Sequence, residues 1–322
     1  MRASPASFHL GVNFPWLNYA QDFGRTPAEH LGVSRPAVQR SLDQEFAKIR
    51  DCGASVVRWF VFGDGRGGFL TEKGIPCRPD EFLLQDVAAA LQLAHRHGLK
   101  LCFSLIDYLW LQDRLENRAS NAPRQVLQFA AGREALLDRV FIPLFREFWG
   151  HPALFAWEIA NEPEWAIREF HHDSTAHMHY ADFRVFAEEI ARAVHEFGDV
   201  DVTLGSARLQ WIRAWSELGL DFYQAHFYPS LEGKSGLASQ LAKLPPLDQP
   251  LWLGELPAHE SSSSNYLLQN ALTDCKQAGL CGAAVWRWSE PEKTGADAAI
   301  GRLEPSVLLH WSQEKRAASV KA

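Results

Sequence analysis

Short apolar segments alternate with longer amphipathic segments along the whole chain. Eight short segments are rich in β-branched and aromatic residues, which is typical of buried strands. Between them, apolar residues recur at spacings of three and four, which predicts helices with one buried face. The predicted strands are Phe8–Phe14, Ser55–Phe62, Lys100–Ile106, Leu154–Ala160, Val202–Ser206, Phe222–Phe227, Leu251–Leu256 and Gly282–Trp288. The predicted helices include Val38–Asp51, Glu81–His97, Arg133–Trp149, Tyr180–Phe197 and Asn265–Ala278.

This order of elements predicts an α/β fold. Repeated strand–helix units form a parallel sheet, and eight of them are the number that closes a (β/α)8 TIM barrel, with an open doubly wound sheet as the alternative. The 322 residues could hold two domains, but the Ser261–Ser264 run and Pro245–Pro246 fit loops and not linkers. We therefore predict one catalytic domain over residues 1–322, with short flexible tails at about 1–7 and 314–322.

Composition narrows the classes of partner and compartment. The chain has 32 basic and 39 acidic residues, a net charge of −7, and no basic block, which argues against nucleic acid. No apolar stretch is long enough to span a membrane or to serve as a signal peptide, which predicts a cytoplasmic protein; a secreted protein without its leader would look the same. The five cysteines show no metal-binding spacing, so we expect free thiols. No feature specifies an oligomeric state.

Two glutamates end apolar strands. Glu162 follows the fourth predicted strand, and Glu255 ends the seventh. A carboxylate is costly there unless it has partners or a chemical role, and barrel active sites lie at the carboxyl ends of the strands. Hydrolysis of a glycosidic bond needs two such groups, one protonated and one ionised. The sequence therefore predicts a glycosidase site at this end of the barrel.

Five motifs on the predicted strands carry a family resemblance. They are Val57-Arg58, Trp157–Pro163 (Trp-Glu-Ile-Ala-Asn-Glu-Pro), His226-Phe-Tyr228, Gly254-Glu255 and Trp286-Arg-Trp288. In this order they resemble the retaining glycoside hydrolases of clan A, and are most similar to family 5, with its cellulases and β-mannanases. The resemblance implies no cofactor and no metal, a carbohydrate substrate, and hydrolysis of β-linked glucan- or mannan-type poly- or oligosaccharides. The Trp157–Pro163 run favours the β-mannanases.

The resemblance also implies residue roles. Glu162 is the expected acid/base and Glu255 the expected nucleophile of a double displacement, with carboxyl groups about 5 to 5.5 Å apart. Arg58 can hold Glu255 ionised, and Asn161 can hydrogen-bond a sugar hydroxyl. In the sixth strand, His226 and Tyr228 point the same way, and Tyr228 resembles the family's hydrogen-bond donor to the nucleophile.

Further residues are candidates for contact with the sugar. Trp288, and with it Trp286, is expected to form the platform beneath the sugar, and Asp107 stands where many family members have a histidine. The remaining candidates are loop residues near strand ends, namely Trp16, Asn18, Trp110 and Trp165. For Trp16 the alternative is packing on the barrel rim, and for Trp165 with its neighbour Glu164 it is plain surface exposure.

Some polar groups have structural explanations instead. We expect Glu158 to form a buried ion pair and Trp59 to pack against a helix. The segment Gly63–Gly68 has the spacing of a dinucleotide-binding loop, but glycine and prolines follow where that motif requires a helix. Two alternatives therefore stand beside the glycosidase: a non-catalytic carbohydrate-binding barrel and, less favoured, a nucleotide-dependent oxidoreductase.

A group of histidines in the sequence suggests a metal site as one interpretation. His171 and His172 are followed by His177 and His179. No carboxylate lies at a ligand spacing, and Ser-Thr-Ala interrupts the group, so a solvated loop is the favoured interpretation.

Overall fold

The strands follow the predicted pattern. The structure is a computed structural model, and it describes residues 8–25, 30–111, 123–170, 178–232, 236–259, 266–288 and 303–321. The strands within these residues are β1 (His9–Asn13), β2 (Val56–Phe60), β3 (Phe69–Glu72), β4 (Ile75–Pro79), β5 (Lys100–Asp107), β6 (Leu154–Asn161), β7 (Asp201–Ser206), β8 (Tyr223–His226), β9 (Leu251–Pro257) and β10 (Gly282–Trp286).

Parallel pairing closes a barrel of eight strands, in the order β1-β10-β9-β8-β7-β6-β5-β2. Each of the eight predicted strands is one of these, with ends that differ by at most two residues. The predicted (β/α)8 barrel is therefore confirmed, and the open sheet is excluded because β1 pairs with both β2 and β10. Strands β3 and β4 form a separate antiparallel hairpin.

Helices cover the outside of the barrel. The predicted helix Arg133–Trp149 consists of two α-helices joined by a π-turn at Leu137–Phe141. The α-helices are α1 (Pro36–Asp51), α2 (Leu83–Arg96), α3 (Pro123–Gln128), α4 (Ala130–Leu136), α5 (Ile142–Phe148), α6 (Tyr180–His195), α7 (Pro229–Glu232), α8 (Leu237–Leu241), α9 (Leu268–Gln277) and α10 (Pro305–Lys321). No helix among the described residues is long and apolar enough to cross a bilayer.

Alternation along β2 shows how the barrel is built. Trp59 faces outward and packs edge-on against Phe46 of α1, as expected, while its Nε1–H donates to Asp22. Val56, two strand positions before Arg58, belongs to an apolar cluster with residues of β5, β6, β9 and β10. Phe60, two positions after Arg58, belongs to an aromatic cluster with residues that follow β8 and end β10. Because successive inward side chains form layers, Arg58 lies between an apolar layer and an aromatic layer.

The structure describes only one of the two predicted tails. Residues 1–7 lie outside the described residues. Residues 314–322 were predicted to be a short flexible tail; α10 extends to Lys321, and the flexibility of this segment stays a prediction. That residues 1–322 form one catalytic domain stays a prediction.

Candidate active site

Arg58 is the central charge of the candidate site. It is fully buried, and its Nε and Nη2 donate to the two carboxylate oxygens of Glu158 at 2.6 Å each. Its Nη1 donates to Oε1 of Glu255, also at 2.6 Å. Burial opposes the charge, but the two carboxylates outweigh it and raise the pKa of Arg58. The buried ion pair expected for Glu158 is confirmed, and the same guanidinium also holds Glu255.

Two asparagines complete the contacts of this guanidinium. Nη1 also donates to Oδ1 of Asn13 at 2.9 Å, and Nη2 to Oδ1 of Asn161 at 2.7 Å. The amide nitrogen of Asn13 donates to the carbonyl of Gly254, and that of Asn161 to Oδ2 of Asp107 at 2.9 Å. Asn161 therefore has a fixed amide orientation, since its oxygen faces Arg58 and its nitrogen faces Asp107.

Sequence reasoning missed three polar residues of this network. Besides Asn13, they are Ser104, whose hydroxyl donates to Glu158 at 3.1 Å, and Gln224, whose amide donates to the same carboxylate at 2.9 Å. All three are buried on barrel strands. The signal available in the sequence was a polar residue at an inward strand position, which marks a buried group that needs a partner.

Asp107 is tied to the same network. It is buried at the end of β5, and its Oδ1 accepts the backbone N–H of Leu109 at 2.8 Å. Burial raises the pKa of Asp107 to about 7, although the hydrogen bonds from Leu109 and Asn161 act against this rise. Its role toward a sugar stays a prediction, because in the structure it contacts Asn161.

Donors surround the carboxylate of Glu255. Oε1 accepts from Arg58, and Oε2 accepts from the Tyr228 hydroxyl at 2.6 Å, as expected from their positions. Burial raises the pKa of Glu255 above its usual value, and Arg58 and the Tyr228 hydrogen bond limit this rise. Hydrogen bonds to the charged form favour that form, so this environment supports an ionised Glu255.

Glu162 is held in an uncommon backbone conformation. It follows β6 with φ 48° and ψ 44°, the left-handed region, and its N–H donates to the carbonyl of Gly205 at 2.7 Å. A non-glycine residue there is strained by about 1–3 kcal/mol, and such strain is concentrated at functional sites. The hydrogen bond to β7 therefore helps to hold Glu162 in this conformation.

Burial makes Glu162 a weak acid. It raises the pKa of Glu162 to about 7, although Arg58 and a hydrogen bond from Trp165 act in the opposite direction. The indole Nε1 of Trp165 donates to Oε2 at 3.0 Å, and Oε1 lies 2.7 Å from Nδ1 of His226. The two glutamates thus have different partners: Glu255 faces a cation, and Glu162 faces a histidine and an indole.

His226 lies between the two glutamates. Its Nδ1 is 2.7 Å from Glu162 and 3.5 Å from Glu255, and burial lowers its pKa to about 4, so the ring is neutral near pH 7. One side-chain ligand atom from each of these three residues lies within 4.8 Å of the other two. The three could together contact one metal ion, although Arg58 already supplies a cation to Glu255.

Of the two tryptophans predicted to form the platform beneath the sugar, the structure favours Trp286 over Trp288. Trp288 is buried and turned toward α1, where its Nε1–H donates to Glu45 at 2.9 Å, so its assignment as the platform is corrected. Trp286 instead lies in the aromatic layer with Phe60 and Tyr228. The rings of Trp16, at the rim, and Trp286 meet edge to face, with 6.3 Å between their centres.

Two other candidates serve the packing of loops. Trp110 is fully buried, stacks on Phe69 and donates to the carbonyl of Gly63 at 2.8 Å, so it is not available to a sugar. The amide of Asn18 donates to the carbonyl of Leu31 at 3.2 Å and so ties its loop together.

Glu164 is neither exposed nor free for substrate, which corrects both expectations for it. It is fully buried and accepts hydrogen bonds from Ser206, the Ala207 N–H and Nε1 of Trp215, at 2.5, 3.1 and 2.6 Å. Burial raises its pKa to about 7 despite these donors. Glu164 therefore fixes the loop that follows β7.

The motifs that suggested other ligands have local partners. In the glycine-rich segment, Asp64 is buried against Arg66, and the hairpin of β3 and β4 follows instead of a helix. This removes the helix N-terminus that a pyrophosphate requires. Of the histidine group, His179 faces Glu169 at 3.1 Å, and His171, His172 and His177 lie outside the described residues.

We expect Arg58→Met to destabilise the chain strongly. The substitution leaves Glu158 and Glu255 buried without their cation, which costs about 3–5 kcal/mol. The free energy of unfolding, measured by urea denaturation at pH 7, tests this. The control Arg50→Met removes an exposed pair with Asp51 and should cost at most about 1 kcal/mol. Equal losses for the two variants would contradict the central role of Arg58.

Comparisons with known proteins agree with this fold. No family model matches the chain. In sequence it is 23% identical to a mannan endo-1,4-β-mannosidase of Mytilus edulis over 88% of this chain and 80% of that protein. In structure it is similar to an endo-1,4-β-mannanase of Eisenia fetida, with a TM-score of 0.72, 21% identity and coverage of 94% of this chain and 90% of that one. A β-1,4-D-mannanase of Cryptopygus antarcticus gives a TM-score of 0.73 at 19% identity, with coverage of 95% and 89%. The resemblance predicted from the motifs is therefore confirmed: in sequence and in fold, the chain is similar to glycoside hydrolases that are named as mannanases.

Proposed function

We propose that the chain is a retaining β-glycosidase that hydrolyses β-linked mannan-type poly- or oligosaccharides. The observation that carries the mechanism is the pair of Glu162 and Glu255, which have oxygens within 4.8 Å of each other. Inverting glycosidases need about 6.5–9.5 Å between the carboxyl groups to admit a water molecule. The shorter approach supports direct attack by the enzyme.

In the first step, Glu255 attacks the anomeric carbon. Arg58 and Tyr228 keep this carboxylate ionised and oriented. A glycosyl ester forms as the bond to the leaving sugar breaks, and Glu162 donates its proton to the leaving oxygen. The proton is available because the pKa of Glu162 is about 7.

In the second step, the roles reverse. Glu162, now ionised, takes a proton from water, and the resulting hydroxide equivalent attacks the anomeric carbon. Glu255 leaves as a carboxylate beside Arg58. Asn161 has a second amide N–H besides the one given to Asp107, and we assign it to the sugar's 2-hydroxyl. Trp286 and Trp16 supply the aromatic surface at the rim.

The mannan preference rests on the relatives. The similar proteins of Mytilus edulis, Eisenia fetida and Cryptopygus antarcticus are named as mannanases. We expect kcat/KM for a β-1,4-linked mannohexaose to exceed that for cellohexaose, which chromatographic analysis of the products measures. We also expect the new reducing end of the product to be released as the β-anomer, which early proton NMR spectra measure. An α-anomer would exclude the retaining mechanism, and a preference for cellohexaose would exclude mannan as the main substrate.

Glu255→Gln should abolish hydrolysis of mannohexaose, and Glu162→Gln should reduce it strongly. The loss for Glu162→Gln should be about 10²–10⁴-fold, the usual contribution of a general acid, and smaller for an aryl glycoside whose leaving group needs no proton. The exposed Glu147→Gln on α5 is the matched control and should retain full activity. Saccharide binding without turnover by the unmodified chain would instead favour the non-catalytic carbohydrate-binding barrel.

The pH dependence of kcat/KM should follow the protonation of the Glu162 carboxyl group. General-acid catalysis requires the protonated carboxyl, so kcat/KM should fall as pH rises through about 7, the pKa of Glu162. Initial rates between pH 4 and 9 test this. An alkaline limb that persists unchanged in Glu162→Gln would assign that limb to another group.

A further inference from the structure

Trp165 and Arg208 pack against each other beside Oε2 of Glu162, the carboxylate oxygen that is not hydrogen-bonded to His226. The indole Nε1–H of Trp165 donates to Oε2 of Glu162 at 3.0 Å. The guanidinium carbon of Arg208 lies 5.5 Å from the centre of this indole and 5.3 Å from that of Trp211. The two indoles meet edge to face at 5.6 Å. A guanidinium against two indoles is a favourable cation–π arrangement that restricts all three groups.

Buried hydrogen bonds hold the loop that carries Arg208. Glu164, two residues after Glu162, accepts hydrogen bonds from Ser206 and from the Ala207 N–H. The Ser206 hydroxyl also contacts the carbonyl of Arg208 at 3.1 Å. The positions of Glu162 and Arg208 are thus linked through buried groups, and they do not depend on a flexible surface contact.

Arg208 has no close counter-ion among the residues that the structure describes. The acidic groups that feel its charge there are Glu162 and Glu232, neither within 4.0 Å. An ion-paired arginine would have its field largely cancelled by its partner, whereas the field of Arg208 reaches Glu162. The other charged or titratable groups around Glu162 are Arg58 on β2, Asp107 and Tyr108 at the end of β5, Glu158 on β6, His226 and Tyr228 at the end of β8, and Glu255 on β9.

We propose that Trp165 and Arg208 are positioning residues for Glu162: Arg208 holds the indole, and the indole fixes Oε2 so that the carboxyl plane keeps one orientation. This rests on the proposed function of Glu162 as the acid/base. Because an indole N–H only donates, it also favours the ionised carboxyl, as does the charge of Arg208. The two residues therefore fix the orientation of the Glu162 carboxyl group and act to lower its pKa.

Two substitutions separate this role from packing. Arg208→Met keeps an unbranched side chain without the charge, and Trp165→Phe keeps a ring without the N–H. Each removes support for the ionised carboxyl, so the alkaline limb of kcat/KM should move to higher pH by about 0.5 unit. Activity should fall more for mannohexaose than for an activated aryl glycoside, since a misplaced acid matters less when the leaving group is good. The control is Arg213→Met on the same loop, where the guanidinium donates to the carbonyl of Pro246.

A second measurement does not depend on turnover. The carboxyl carbon of Glu162, assigned by its loss in Glu162→Gln, can be titrated by ¹³C NMR. It should titrate at higher pH in Arg208→Met and Trp165→Phe than in the unmodified chain and Arg213→Met. An unchanged titration, or an unshifted pH profile with equal losses on both substrates, would overturn the proposal. Should Trp165→Phe fail to fold, Arg208→Met decides alone. A chain without glycosidase activity would refute the proposed function but leave the titration readable.

Discussion

The buried charge of Arg58 constrains the barrel strands that surround it. A guanidinium without water needs carboxylate and amide oxygens around it, and the barrel supplies Asn13 from β1, Glu158 and Asn161 from β6, and Glu255 from β9. These partners must reach one point, so the network fixes the relative register of the strands that carry them. The same requirement fixes the carboxylate of Glu255 beside Arg58.

The two glutamates differ because their surroundings differ. Burial raises the pKa of both, but Glu255 has a cation and a phenol as donors, whereas Glu162 has an indole and a neutral histidine. Two carboxyl groups with opposed environments are the arrangement that acid and nucleophile roles require. The left-handed backbone of Glu162 and the buried Glu164 beside it show how closely the β6 and β7 loops are built around that one side chain.

Most of the fold and the centre of the site could be predicted from the sequence. Apolar periodicity located the eight barrel strands, since a strand buried on both faces has to be apolar. Alternation placed His226 and Tyr228 on one face, and a carboxylate at the end of an apolar strand marked Glu162 and Glu255. The prediction failed where a side chain's direction depended on a distant partner. Trp288 turns to Glu45, which lies 243 residues earlier in the chain, and Trp110 turns to Gly63.

The sequence by itself determined the barrel, the two carboxylates and the strand positions of their partners, because these follow from local periodicity and from residue types at strand ends. Only the tertiary structure decided which aromatic ring faces the site, that Glu164 is an internal anchor, and that Arg208 lies against Trp165. Those outcomes depend on contacts between loops of β6, β7 and β10 and on helix α1, and loop conformation is set by such long-range partners and not by the local pattern.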